Sequence, residues 1–163
     1  MDAEGLVDEL GSFADDIGLF YEDVGFPRVW GRVLGWLLIC QPDSQSAEAL
    51  AAALHASRGS ISMATQALVR AGMVERQTLR GNRRTHYRIR PGAWTSVFEE
   101  QIRTATKLRD LAERGLTLLA DEPAERRHRV QELHDLTAFY EREAADLVER
   151  WHAQHQATTE TPR

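Results

Sequence analysis

Arginine side chains are concentrated in one stretch of the chain, residues 57–90. This stretch holds eight arginines against a single acid, Glu75, which gives it a formal charge of +7. The whole chain carries −5, so the remaining residues together carry −12. Guanidinium groups bind phosphate and other anions through planar, permanently charged forks. The segregation of charge therefore predicts a surface that binds a polyanion. The acidic remainder of the protein repels the same polyanion, and this repulsion orients the encounter.

The composition is that of a folded protein in a reducing compartment. Hydrophobic residues make up 42% of the 163 residues and charged residues 28%, which is typical of one domain with helical extensions. The single cysteine, Cys40, allows no internal disulfide and is expected to be an inert core thiol. The N-terminal residues lack the basic start and apolar run of a signal peptide, so we expect a cytoplasmic protein without a membrane segment.

Within the basic stretch, the spacing of apolar residues changes from helical to strand-like. A short helix is predicted over 47–56 and a second over 58–71, with Ser57 as the N-cap of the second and a glycine after its end. Two strands are predicted at 73–79 and 85–90, joined by a Gly-Asn turn. Two helices across a tight turn, followed by a two-stranded ribbon, define a winged helix-turn-helix. The fold class is therefore predicted to be mainly α, with long helices flanking the winged domain.

The helix 58–71 is predicted to expose a face that suits the edges of DNA bases. At about 100° per residue, the side opposite its apolar stripe carries small, neutral or basic residues and no acid. Gln66 can bond adenine in a bidentate manner, Met63 can contact a thymine methyl, and Gly59 allows the helix N-terminus to approach closely. The residues predicted to contact DNA from this helix and its cap are Ser57, Arg58, Gly59, Ser60, Ser62, Met63, Gln66 and Arg70.

The ribbon that follows carries its positive charge at its tip. No carboxylate occurs between Arg76 and Trp94, and arginines at the tip of a β-ribbon can enter a narrow minor groove. The residues predicted to contact DNA from this wing are Arg80, Asn82, Arg83, Arg84 and His86. Helix and wing together predict sequence-specific binding of double-stranded DNA. The alternatives are a protein-interaction module that kept the winged fold without binding DNA and a winged-helix protein that binds RNA.

Three long amphipathic helices are predicted outside the winged domain, over 5–24, 93–119 and 124–155. They present more apolar surface than a lone winged domain can cover, so we expect a homodimer, with an intramolecular bundle as the alternative. Another helix, 27–40, is apolar on nearly all sides and should lie in the core. The predicted division is a dimerisation helix at 1–26, the winged domain at 27–92, a C-terminal helical dimerisation region at 93–155 and a disordered tail at 156–163.

Three segments resemble the GbsR-like branch of the MarR-type regulators: PRVWGRVLGWLLI, SAEALAAALHASRGSISMATQALVRAGMVERQ and GNRRTHYRI. The markers of the resemblance are Gly25–Arg28, Gly31-Arg32, Ser57–Ser62 and Gly81–Arg84. Asn82 departs from the pattern, because the family often has an aspartate before the arginines that forms a salt bridge in the wing. The resemblance implies a homodimeric repressor that binds a pseudo-palindromic operator, often in its own promoter.

The resemblance also implies a small-molecule effector bound between the helical dimer part and the DNA-binding lobes. The aromatic residues considered for this pocket are Tyr21, Trp30, Trp36, Trp94 and Phe98. Aromatic residues at helical spacing are more often part of a core. A quaternary ammonium in an aromatic cage and an apolar efflux substrate are both open as ligands.

Catalysis and metal binding find little support in the sequence. No glycine-rich phosphate loop, nucleophile elbow or distinctive acid–base pair occurs, so we expect neither an enzyme nor a cofactor. The C-terminal part contains four histidines whose spacing fits pairs of metal ligands on a helix only loosely: His128, His134, His152 and His155. We expect all four to be solvated surface residues.

Overall fold

The computed structural model describes residues 3–78 and 84–159. Its helices and strands follow the chain as α1 (Ala3–Asp23), α2 (Arg28–Ile39), β1 (Gln45–Ser46), α3 (Ala47–Ala53), α4 (Arg58–Arg70), β2 (Val74–Thr78), β3 (Thr85–Ile89), α5 (Ala93–Leu118) and α6 (Ala124–Thr159). The fold is mainly α, as predicted, and the chain divides into two compact units, Met1–Ala93 and Trp94–Arg163. None of the helices in the described ranges has both the length and the apolar character needed to cross a bilayer.

The core of the first unit lies between α2, α3 and α4. Leu34 of α2, Leu50 of α3 and Ile61 of α4 are completely excluded from solvent. Burial of such side chains is the main favourable term in folding, at about 25 cal/mol per Å² of apolar surface. The prediction that α2 lies in the core is confirmed for most of its length, although Leu38 remains 40% exposed.

Capping residues fix where the two helices of the helix-turn-helix begin. The Ser46 hydroxyl accepts a hydrogen bond from the Ala49 amide at 3.1 Å, and the Ser57 hydroxyl accepts one from the Ser60 amide at 3.1 Å. The Ser57 N-cap is as predicted. Helix α3 ends at Ala53 rather than at residue 56, because His55 has a φ of +46° and a left-handed residue cannot continue a right-handed helix.

The sheet has three strands in the order β1-β3-β2, where the sequence predicted only a two-stranded ribbon. In the added strand, Gln45 pairs with Tyr87 and Ser46 pairs with His86, both antiparallel. The sequence gives no sign of this strand, because two residues are too short to show alternation. Strand β1 holds the start of α3 against β3, so the wing and the helix-turn-helix are connected parts of one folded unit.

Glycines allow α1 and α2 to cross at backbone contact. A Cβ atom on Gly31 would collide with the carbonyl oxygen of Ile17, and one on Gly35 would lie 3.0 Å from the Cα of Ala14. Close-packed interiors do not yield easily to added atoms. These glycines therefore set the distance between the two helices.

The second unit is an antiparallel hairpin of α5 and α6. The Glu141 carboxylate of α6 accepts a hydrogen bond from the Thr106 hydroxyl of α5 at 2.9 Å and forms an ion pair with Arg109. Helix α6 extends to Thr159, so the predicted disordered tail is wrong for residues 156–159. Residues 160–163 lie outside the described residues.

Replacing Gly31 by alanine should destabilise the protein by about 1–3 kcal/mol, because the new methyl must displace the backbone of α1. Urea denaturation followed by circular dichroism measures this change. Gly11→Ala is the matched control, since a Cβ atom on Gly11 meets nothing within 4 Å. Alanine there should raise the free energy of unfolding by up to about 1 kcal/mol. Equal effects of both changes would contradict the close crossing.

Candidate nucleic-acid interface

Helix α4 separates a buried apolar stripe from an exposed polar face, as the sequence predicted. Ile61, Ala64, Thr65 and Leu68 are buried. The opposite side is exposed and is formed by Gly59, Ser62, Met63, Gln66 and Arg70. The exposed face is therefore accessible to a partner along three turns of the helix.

Two side chains on this face are oriented by each other. The Gln66 amide donates a hydrogen bond to the Ser62 hydroxyl at 3.2 Å. This contact uses one amide proton and leaves the amide oxygen and a second proton for a partner. Met63 follows Ser62 on the same exposed side and is 66% exposed, which presents an apolar contact near the two polar ones. The arrangement matches the mixture of hydrogen-bonding groups and methyl groups in a DNA major groove.

The N-terminus of α4 is arranged to receive an anion. Its first turn contains no acid, and the exposed Ser57 and Ser60 hydroxyls are 2.8 Å apart. Arg58 is exposed in the same turn. Free amide groups and the helix dipole favour negative charge at such an end.

Two of the arginines in and beside the sheet are half-buried against the fold, and two are exposed. The Arg88 guanidinium donates to the Glu75 carboxylate at 2.6 Å. The Arg90 guanidinium lies against Gly72, at the end of α4. Arg76 and Arg84 are exposed. The charge of +7 is therefore not spread evenly, and Arg88 is held on the sheet.

Much of the predicted wing tip lies outside the described residues: Arg80, Asn82 and Arg83. Arg84 is described and exposed. His86 is half-buried in the central strand β3, and its Nδ1 lies 3.1 Å from the carbonyl oxygen of Arg84. A phosphate contact from His86 stays a prediction.

Two residues near the interface were not predicted from the sequence. His55 occupies the left-handed region in the turn between α3 and α4 and is exposed. Glu48 lies exposed in the first turn of α3. The pKa of Glu48 is lowered by hydrogen bonds from its own amide and from Ser46, and then by the charges of Arg84 and Arg58. No local signal could reveal this, because the arginines are distant in sequence.

The aromatic residues predicted for an effector pocket are distributed over both compact units. Tyr21 and Trp30 flank Phe26, with ring centroids 5.9 Å apart on each side. The indole N–H of Trp36 is buried without a hydrogen-bond partner among the described residues. Trp94 and Phe98 belong to the second unit, where they line a groove between α5 and α6.

This groove has a volume of about 610 Å³ and almost entirely apolar walls. Its other lining residues include Ile102, Tyr140, Leu147 and Trp151. The indole N–H of Trp151 donates to the Thr95 hydroxyl at 3.2 Å, so two of its polar groups satisfy each other. No charged side chain lines the groove among the described residues.

Other candidate sites are less developed. Cys40 is buried, and burial raises the pKa of its thiol, which disfavours the reactive thiolate. In the parts of the chain that the structure describes, no three His, Cys, Asp or Glu side chains are grouped so as to hold a metal ion. His134 contacts Asp135 at 3.1 Å, and His152 lies 3.6 Å from Glu99.

Comparison with known proteins defines the class of this molecule. A model of the MarR family matches residues 24–85, and a model described as MmpR5-like MarR family transcriptional regulator matches residues 92–154. The chain is 40% identical to the HTH-type transcriptional regulator MmpR5 of Mycobacterium tuberculosis (strain ATCC 25618 / H37Rv) over 151 residues, covering 93% of this chain and 92% of the relative. It is also 40% identical to a transcriptional regulator of known crystal structure, with a TM-score of 0.74, covering 89% of this chain and 99% of that one.

The chain therefore belongs to the MarR family of winged-helix transcriptional regulators, which bind DNA and are not enzymes. Within that family it is MmpR5-like. Neither family model confirms the GbsR-like branch that the sequence motifs suggested.

Gly59 gives a direct test of the exposed face of α4. Its Cβ position is open, with only the Ser57 hydroxyl 3.9 Å away, so the fold itself does not require glycine. Gly59→Ala should stabilise the free protein by up to about 1 kcal/mol. It should weaken DNA binding about ten-fold, because disturbing one close approach to the duplex costs about 1–3 kcal/mol. Thermal unfolding and fluorescence anisotropy measure the two effects, and unchanged DNA affinity would show that nothing approaches this turn closely.

Proposed function

We propose that this regulator is a homodimeric repressor that binds a pseudo-palindromic operator and is released from it by a small apolar molecule. Helix α4 lies in the major groove and reads bases, and the wing at residues 80–84 enters the adjacent minor groove. The operator is expected in its own upstream region, as the resemblance implies. The protein acts in the cytoplasm, in keeping with its single buried cysteine.

The observation that carries this proposal is the composition of the exposed face of α4. An uncharged set, Ser62, Met63 and Gln66, lies between Arg58 and Arg70 along one side of the helix. Phosphate contacts position a protein on DNA, whereas contacts to base edges select the sequence. Arginines flanking neutral hydrogen-bonding groups supply both kinds of contact. A surface used only for protein binding does not need arginines at both ends of such a face.

Exposed apolar side chains of the second unit support the homodimer. Leu111, Leu136 and Phe139 are between 54% and 63% exposed, and Leu118 is 83% exposed. Monomeric proteins rarely leave so many large apolar side chains in water on one pair of helices. A second copy related by a two-fold axis would cover them, and the two-fold symmetry of such a dimer would match the two half-sites of a pseudo-palindromic operator.

The groove between α5 and α6 supports an apolar effector. Its volume suits a drug-sized ligand, and its aromatic and aliphatic walls offer no counter-charge. A quaternary ammonium would meet aromatic rings there, but no carboxylate would offset the loss of its hydration. Of the two ligand classes left open by the sequence, the apolar one is therefore favoured. Its binding would shift the equilibrium between DNA-competent and DNA-incompetent forms of the dimer.

The wing is tested by a gel-shift titration against the upstream DNA at several salt concentrations. Replacing Arg83 and Arg84 together by alanine should reduce the affinity and lower the salt slope, by about 0.9 for each phosphate that is no longer neutralised. Arg129→Ala, at an exposed position of α6, is the control and should change neither quantity. Full affinity and an unchanged slope in the double variant would remove the wing from the interface.

The dimer is tested by introducing charge into the exposed apolar surface of the hairpin. Leu136→Glu should convert the protein to a monomer at micromolar concentration, because a buried unpaired carboxylate is strongly unfavourable. Sedimentation velocity gives the mass directly. Lys107→Glu, at an exposed charged position of α5, should leave the dimer intact. A wild-type monomer under the same conditions would contradict the proposal.

A further inference from the structure

An acid lies in the middle of the otherwise basic DNA-facing surface. Glu48 is exposed in the first turn of α3, and its side chain has solvent around it. Within the described residues, α4 carries no acid and the wing strands carry only Glu75, which is paired with Arg88. Glu48 is thus the acid that approaching phosphates would meet.

The pairing of β1 with β3 brings Glu48 to the base of the wing. Ser46 lies opposite His86 in the antiparallel register. Glu48 follows Ser46 by two residues, in the first turn of α3, and Arg84 precedes His86 by two residues, just before β3 begins. The two residues therefore belong to segments that meet at this end of the β1–β3 pair. Arg58, at the start of α4, lies close enough for its charge to act on the same carboxylate.

We propose that Glu48 is an electrostatic brake on DNA binding, which competes with phosphate for Arg84 and Arg58. In the free protein the carboxylate partly neutralises both guanidinium groups. When DNA binds, the arginines turn to phosphates and Glu48 is left close to the backbone, within the screening length of about 8 Å at physiological salt. This repulsion weakens DNA binding that relies only on contacts to phosphates. Contacts from α4 to bases are then needed for a stable complex, which limits binding to random DNA.

A structural role is the simplest alternative for Glu48. An acid in the first turn stabilises a helix through its dipole, and its hydrogen bonds to its own amide and to Ser46 fit that role. A helix-stabilising residue would alter thermal stability but not the salt dependence of DNA affinity. A residue that reads cytosine through its N4 amino group would favour the operator over other sequences. The three roles therefore give different results.

The test compares Glu48→Gln with the wild type on operator DNA and on a random duplex of equal length, with anisotropy titrations between low and physiological salt. This proposal rests on the DNA binding proposed above. Glu48→Gln should bind random DNA about two- to ten-fold more tightly, as expected for removing one like charge at short range. For this variant, the slope of log affinity against log salt concentration should be steeper by about the amount expected for one additional neutralised phosphate.

Glu132→Gln, at an exposed position of α6, changes the net charge by the same amount and should leave affinity and slope unchanged. If both variants bound DNA more tightly by the same factor, the effect would be due to net charge, and the proposed role of Glu48 would be wrong. Unchanged affinity of Glu48→Gln, or weaker binding to the operator alone, would overturn it in favour of the helix-stabilising or the cytosine-reading role. A wild type that binds no DNA would instead refute the proposed function itself.

Discussion

The antiparallel pairing of β1 with β3 is the interaction on which the DNA-facing surface depends. Through Gln45–Tyr87 and Ser46–His86 it joins the start of α3 to the central strand of the wing. The Ser46 cap then fixes the first turn of α3, and packing of Leu50 and Ile61 in the core fixes α4 relative to α3. The pairing of β1 with β3 and the Ser46 cap thus hold the wing strands, helix α4 and Glu48 in one arrangement. Without this pairing, the wing would be a two-stranded ribbon, which is marginally stable alone.

In the proposed interface, charge and sequence recognition are divided among different residues. Arg88 and Arg90 are used within the fold, against Glu75 and beside Gly72. The arginines that remain exposed surround a neutral face in which Ser62 orients Gln66. Electrostatic attraction brings any duplex to such a surface, but it does not distinguish one sequence from another. The division explains how a strongly basic segment can belong to a selective regulator.

The sequence predicted those features that depend on neighbouring residues. The helical period of α4, its Ser57 cap and the glycine after it are local signals, and the structure confirms them. The added strand β1 was missed because two residues show no alternation, and the left-handed His55 because most left-handed residues are glycine or asparagine. The place of Glu48 beside Arg84 depends on strand register, which joins residues far apart in the chain. The five aromatic residues were grouped by type, and local sequence does not show that Tyr21 and Trp30 belong to the first unit whereas Trp94 and Phe98 line a groove within the second.

The central claim is that neutral residues of α4 select the sequence while wing arginines supply affinity. The most direct measurement is the ratio of operator affinity to random-DNA affinity in Gln66→Ala and in Arg84→Ala. The account predicts a ratio reduced about ten-fold or more in Gln66→Ala, since one good bidentate base contact contributes about 1–3 kcal/mol of discrimination. In Arg84→Ala, both affinities should fall together and the ratio should persist. A ratio that collapses in Arg84→Ala and persists in Gln66→Ala would contradict the account.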